Sequence, residues 1–166
     1  MKQQTLFPVV KPENEQDVIF TPEYIAEGII NHFKPSGKCL DPCKGNGAFL
    51  KYLPINSDWC EITEGKDFFD YRKKVDWIVG NPPYSIFEKW LIHSFKVADN
   101  IVYLIPITKA LTSYRVMKQI YELGSICEIF VLGAGRHIGF PFGFAIGAVH
   151  FKPKVKTDIK ITFKET

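Results

Sequence analysis

The chain has no apolar run approaching the ~18 residues that a membrane-spanning helix needs. Its opening segment, from Met1 to Gln16, lacks the apolar core of a signal peptide. Both absences lead us to expect a cytoplasmic protein with no membrane partner. No internal repeat and no low-complexity block divides the 166 residues, which suits one domain around one core. The four cysteines, Cys39, Cys43, Cys60 and Cys127, form no C-x-x-C pair, and no histidine follows at finger spacing. Free buried thiols are therefore expected and no metal, with a zinc site as the minor alternative. A large excess of either charge is lacking too. A formal net charge of +3 permits a nucleic-acid partner without demanding one.

What is present alternates between strand and helix patterns. Residues 1–17 are polar with Pro8 and Pro12, and read as an N-terminal arm. Thr21-Pro22-Glu23 reads as a helix start, with Thr21 as the cap and Pro22 in the first turn. Ile25, Ile29, Ile30 and Phe33 then supply an apolar face at helical spacing. Strands are expected at 38–41, 58–61, 75–80, 101–105, 125–132 and 144–151, with 159–163 as a further edge strand. Helices are expected at 48–53, 85–98 and 113–123. This order predicts an α/β fold: a mostly parallel central sheet with one antiparallel strand near the C-terminus and helices on both faces.

Asp41-Pro42-Cys43-Lys44-Gly45-Asn46-Gly47 lies between the first strand and a predicted helix. Glycines there let backbone approach a ligand where a Cβ would clash, and strand carboxyl ends are where such sheets bind ligands. It is not a phosphate loop, because no Gly-Lys-Ser/Thr follows at the required distance. A tight turn without a ligand is the competing reading. Glu61 ends the second strand about twenty residues after Asp41, where a carboxylate can accept both ribose hydroxyls; a helix cap would also explain it. Asp67 is placed to accept from an adenine amino group.

Asn81-Pro82-Pro83-Tyr84 follows an apolar strand directly and leads into a helix. The two prolines fix two φ angles and remove two donors, leaving carbonyls without a competing N–H. Asn81 adds a side-chain acceptor, and Tyr84 a flat face for stacking. Such acceptors suit an aromatic amine, whose nitrogen becomes nucleophilic when both of its hydrogens are bonded away from the ring plane. A proline-rich turn that merely ends a strand is the plain alternative.

On these residues the chain resembles the amino-group methyltransferases of the adenine-N6 DNA class, from about Val18 to Phe151. Phe20-Thr21-Pro22 resembles their N-terminal cofactor motif, and Asp41 to Leu50 their glycine motif. Asn81-Pro82-Pro83-Tyr84 is similar to their catalytic motif, in the γ order. The resemblance implies a Rossmann-like methyltransferase domain over residues 1–166 using S-adenosyl-L-methionine. Cofactor contacts would come from Phe20, Thr21, Asp41, Pro42, Gly45, Gly47, Glu61, Asp67 and Asn81. Asn81, Pro82, Pro83 and Tyr84 would hold the target amine. Related proteins with the same tetrapeptide methylate RNA bases or a protein glutamine, so those substrates stay open, as does a cofactor-binding subunit that needs a partner.

No separate target-recognition domain is expected within these 166 residues, a departure from that class. Residues 152–166 read as a short basic tail. Recognition would fall to the glycine-rich segment 133–143. There Arg136 and His137 can meet phosphates, and Phe140 or Phe142 can stack on an extruded base. DNA is the expected partner, RNA a possible one, with a protein partner as a further source of target recognition. Core packing of the two phenylalanines competes with this reading.

Overall fold

The computed structural model describes residues 19–165, so the expected N-terminal arm lies outside the described residues. Seven strands form one sheet: β1 (Cys39–Asp41), β2 (Asp58–Trp59), β3 (Val75–Gly80), β4 (Ala98–Pro106), β5 (Gly124–Ala134), β6 (Ala145–Pro153) and β7 (Lys160–Phe163). Their order is β2-β1-β3-β4-β6-β5-β7. Every pairing is parallel except those of β6, which runs against both β4 and β5. The expected α/β class, with one antiparallel strand near the C-terminus, is therefore observed.

Helix α1 (Glu23–Phe33) packs on one face of the sheet, burying Ile25, Ala26, Ile29 and Ile30. Helices α2 (Phe87–Val97), α3 (Thr108–Leu111) and α4 (Tyr114–Leu123) cover the other. Phe87, Trp90, Leu91 and Phe95 of α2 all face inward, as their spacing requires. Ser113 caps α4 by accepting from Val116 N–H. Between the two layers β4 is buried from Ile101 to Pro106, as expected of a strand covered on both faces.

Two local expectations are corrected. First, 48–53 is a string of turns rather than a regular helix. Gly45 and Gly47 have left-handed φ of +50° and +85°, and Asn56 has +71°, so helical geometry is interrupted on both sides. The segment still buries Ala48, Phe49 and Leu53 against the α1 side. Second, Thr21 does not cap α1. Pro22 holds the N-cap position, its carbonyl accepting from Ile25 and Ala26 N–H, while the Thr21 hydroxyl is used elsewhere. The edge strand expected at 159–163 is observed within the basic tail: β7 pairs in parallel with β5, Ile161 opposite Ile129 and Phe163 opposite Val131.

From β1 the chain steps outward to β2, then returns past β1 to β3 and continues the other way to β4. The strand order thus reverses between β1 and β3, which opens a crevice at their carboxyl ends.

Candidate active site

Asp41 ends β1, and Asn81 follows the last residue of β3. The two strands are adjacent in parallel register, Leu40 opposite Ile78. The glycine turn and the Asn-Pro-Pro-Tyr segment therefore leave the sheet side by side. Gly80 allows this approach. A Cβ there would stand 2.9 Å from Pro42 Cδ and 3.1 Å from Asp41 Oδ1.

The Asn81 amide is held from outside its own strand. Its Nδ2 donates to the Ile19 main-chain oxygen at 3.1 Å and to Thr21 Oγ1 at 3.2 Å. Both amide hydrogens are spent, which fixes the orientation of the group. Oδ1 is then left buried without a hydrogen-bond partner among the described residues. An orphaned acceptor of this kind costs on the order of 1–3 kcal/mol unless something fills it. The main-chain oxygen of Asn81 is not free in the same way: it accepts the Cys43 thiol at 3.0 Å.

Asp41 is the second orphan. It is fully buried. Oδ1 accepts from Cys43 N–H at 3.2 Å, and Oδ2 has no partner among the described residues. Burial pushes its carboxyl up to about 7, and the nearby Glu61 charge adds to the rise against the lowering by Cys43 N–H and Lys44. A cationic group arriving at Oδ2 would favour the ionised form.

Beside Asn81 lies a small pocket lined by Phe20, Thr21, Cys43, Gly45 and Phe49, among others; Asp41 is buried behind the turn and does not line it. Phe20 is 58% exposed, and its ring edge comes within 3.5 Å of where a Gly45 Cβ would sit. It forms a solvent-facing wall over the glycine turn. Pro42 continues that turn beside Gly80. Gly47 has open space around it, so its left-handed φ is what requires glycine.

Glu61 and Asp67 stand beyond the turn and both cap short 3-10 helices. Glu61 Oε1 accepts from Thr63 N–H and Oγ1, and Oε2 accepts from Gly45 N–H at 2.9 Å. The carboxylate thus reaches the glycine turn while serving its own loop, and Oε2 retains acceptor capacity. Asp67 accepts from Phe69 N–H at 2.8 Å. Sequence reasoning passed over the group beside them: Trp59, with Lys44 Nζ 3.9 Å and Lys66 Nζ 3.4 Å from its ring. It also passed over Ile19 and Cys43, whose parts depend on main-chain contacts that residue type does not announce.

On the far side of Asn81, Pro82 is buried and Pro83 leads into a 3-10 turn, Tyr84–Ile86. The Tyr84 hydroxyl donates to Leu104 O at 3.4 Å, and its ring meets Phe142 edge-on at 6.2 Å. The segment after β5 therefore does reach the Asn-Pro-Pro-Tyr site. Arg136 and His137 are exposed on a 3-10 turn of that segment. Phe140 is corrected: it is 3% exposed and belongs to the core, so its ring is not presented to a ligand. Phe142 is partly buried, and the exposed ring is Phe144, at 58% and 5.7 Å from Phe142.

All four cysteines are free, and no cluster of potential metal ligands occurs among the described residues. No helix among them is long and apolar enough to cross a membrane.

No family model and no curated protein matches this sequence. Solved structures do. A Listeria monocytogenes protein described as a class I S-adenosylmethionine-dependent methyltransferase superposes with a TM-score of 0.66 at 14% identity, over 92% of this chain and 68% of that one. The modification subunit of a protein described as a type I restriction enzyme from Vibrio vulnificus gives 0.64 at 13% identity, over 92% of this chain. The chain spans only 49% of that subunit. A Pyrococcus horikoshii protein described as an RNA methyltransferase gives 0.60 at 12% identity, over 86% of this chain and 91% of that one. At these identities the likeness is one of fold, and the fold is the Rossmann-like one of S-adenosylmethionine-dependent methyltransferases.

Proposed function

We propose that the protein transfers a methyl group from S-adenosyl-L-methionine to the exocyclic N6 amino group of adenine in DNA. The observation that carries this reading is the Asn81 side chain, locked by Ile19 and Thr21 so that a buried, unpartnered Oδ1 remains. Such an atom calls for a ligand N–H.

The residues around the pocket fit the cofactor. Asp41 Oδ2 is a buried acceptor without a partner, suited to a cationic amine, and Gly45 and Gly47 keep the turn free of side chains. Phe20 and Thr21 would border the cofactor, Pro42 would shape the turn, Glu61 would take the ribose and Asp67 the adenine. When bound, the cofactor supplies a methyl group that is already electrophilic on a sulfonium. The chain's own residues do the rest. Asn81 Oδ1 accepts one amino hydrogen of the target. A carbonyl of the Pro82–Pro83 pair, with no proline N–H competing beside it, takes the second. Two accepted bonds hold the nitrogen lone pair out of the ring and aimed, which is rate gained by orientation. Tyr84 offers one stacking face, with Phe142 behind it.

A paired adenine cannot present its amino group to such a buried acceptor, so the base must be turned out of the stack or already unpaired. Arg136 and His137 would meet flanking phosphates, which predicts salt-sensitive binding. Fold likeness to a restriction-enzyme modification subunit supports DNA as the substrate. The Pyrococcus protein makes structured RNA the reading to test beside it.

The deciding experiment supplies labelled cofactor with adenine-containing duplex DNA, the same strand unpaired, structured RNA and a protein extract. We expect label on adenine N6 in DNA, faster for the unpaired base. Asn81→Ala should lower the rate by about 10²–10³ with cofactor affinity retained, as for a contact made in the transition state. Label confined to RNA or to protein glutamine would overturn the DNA assignment. Cofactor binding with no transfer to any of them would mark a subunit that needs a partner.

A further inference from the structure

The sheet has two edges of opposite character. One is β2, two residues long, where Asp58 is held by Lys73 and Tyr71. Short, charged edges resist pairing with another strand. The other is β7, and it is built differently.

Among the described residues, β7 pairs on one side only, with β5. Lys164 N–H donates to Val131 O, so the backbone of residue 164 faces β5. Backbone direction alternates along a strand. The N–H and C=O groups of Thr162 and Lys160 therefore also face β5, and those of Ile161 and Phe163 face outward. The Ile161 and Phe163 side chains are 60% and 70% exposed, and Ile159, just before the strand, is 49% exposed. Ile161 and Phe163 share one face of the strand, the face on which Ile129 is buried opposite Ile161. An open ladder and an uncovered apolar row thus coincide at one place.

The geometry points to a two-fold homodimer in which β7 of one copy pairs antiparallel with β7 of a second, centred on Ile161. That centre sets every partner. Ile161 meets its own copy, Ile159 meets Phe163, and Asp158 meets Lys164. Only this parity brings the outward-facing backbone groups of both strands into register. It also places apolar side chains against apolar ones on one face and opposite charges on the other. A strand of a different protein would match by coincidence; this one matches itself, as an isologous interface must. Lysines on an edge ordinarily discourage pairing, but here Lys160 is drawn onto its own chain, its Nζ 3.7 Å from Glu128. The result joins two seven-stranded sheets into one. This inference is independent of the proposed methyl transfer.

Sedimentation of the full chain over a micromolar concentration series should show a reversible dimer. Asp158→Lys and Lys164→Asp should each raise the dissociation constant by about tenfold, because two symmetry-related pairs turn from attractive to repulsive. The double variant should restore it, a rescue that misfolding cannot give. Ile161→Cys should form a disulfide-linked dimer under mild oxidation, with residue 161 bonded to residue 161, since opposed residues of a hydrogen-bonded pair stand about 5.5 Å apart. A monomer at every concentration, a dimer indifferent to the charge changes, or cross-linking through other cysteines with none at position 161 would overturn the proposal.

Discussion

The Cys43 thiol donates to the main-chain oxygen of Asn81, 3.0 Å away, and so ties the turn after β1 to the acceptor after β3. Burial raises the thiol well above its ordinary range, with the Asp41 and Glu61 charges adding to the rise, so it stays protonated and keeps donating. Replacing the donor tests whether this tie positions the acceptor. Cys43→Ala should slow methyl transfer by about tenfold, the worth of one neutral hydrogen bond, with little change in cofactor affinity. Cys43→Ser keeps a donor and should recover most of the rate in single-turnover assays. A serine variant as slow as the alanine one would deny the bond any part in positioning.

Asp41 should make stability and, on the proposed reading, cofactor binding depend on pH in opposite directions. Burial pushes its carboxyl up to about 7 in the folded state, against an ordinary value of 3.8. The folded state therefore holds a proton that the unfolded state has lost. Stability from this group is full below about pH 4, falls as pH rises toward 7, and is flat above. Asp41→Asn should remove that slope in thermal melts and raise the melting temperature at pH about 8. The same change should weaken the cofactor, whose cationic end prefers the carboxylate, and wild-type affinity should decline as pH drops below about 7. Melting curves with identical slopes for the two proteins would remove Asp41 as the titrating group.

Two glycines in the site should fail for different reasons. At Gly80 a methyl group meets Pro42 and the buried Asp41, neither of which can yield. Gly80→Ala should cost about 1–3 kcal/mol by overpacking. At Gly47 there is room, but a φ of +85° disfavours any side chain, so Gly47→Ala should cost about 1–2 kcal/mol through the backbone alone. Urea midpoints measure both. Equal midpoints for wild type and Gly80→Ala would show that β1 and β3 can part without penalty.

The aromatic segment after β5 separates packing from recognition. Phe140→Ala removes a buried ring and should cost about 3–5 kcal/mol of stability. Phe144→Ala removes an exposed one and should leave stability within about 0.5 kcal/mol while weakening DNA binding. Substituting Arg136 should lessen the salt dependence of binding. Unchanged affinity and salt slope in the Phe144 and Arg136 variants would move recognition to another surface.

Much of this was legible in the residues. β3 and β4 show as apolar runs because helices cover both their faces, and α2 and α4 show through inward spacing and the Ser113 cap. The glycine turn and the Asn-Pro-Pro-Tyr segment could each be read locally, since their backbone demands are local. Thr21 could not. A threonine before proline and glutamate reads as a cap, and only a partner sixty positions on, Asn81, claims its hydroxyl instead. Phe140 and Phe144 are equally apolar letters, and which one is buried is settled by how the loop folds over the α1 face. The turns at 48–53 escaped notice because their apolar spacing is helical, while the left-handed glycines before them act on geometry rather than pattern.

Those turns make the protein uneven in how firmly it is knit. Between β1 and β2 the chain crosses over without a regular helix, and between β2 and β3 it has only two short 3-10 segments. The half that holds Gly45, Glu61 and Asp67 therefore lacks the ladders of amide bonds that brace the half built on α2 and α4. Its amides should exchange with solvent deuterium early, through local opening far below the cost of global unfolding. A ligand seated against Asp41, Gly45 and Glu61 would then act as the missing crossover. It would slow exchange across residues 42–57 and 61–70 while leaving β4 and β6 as they were.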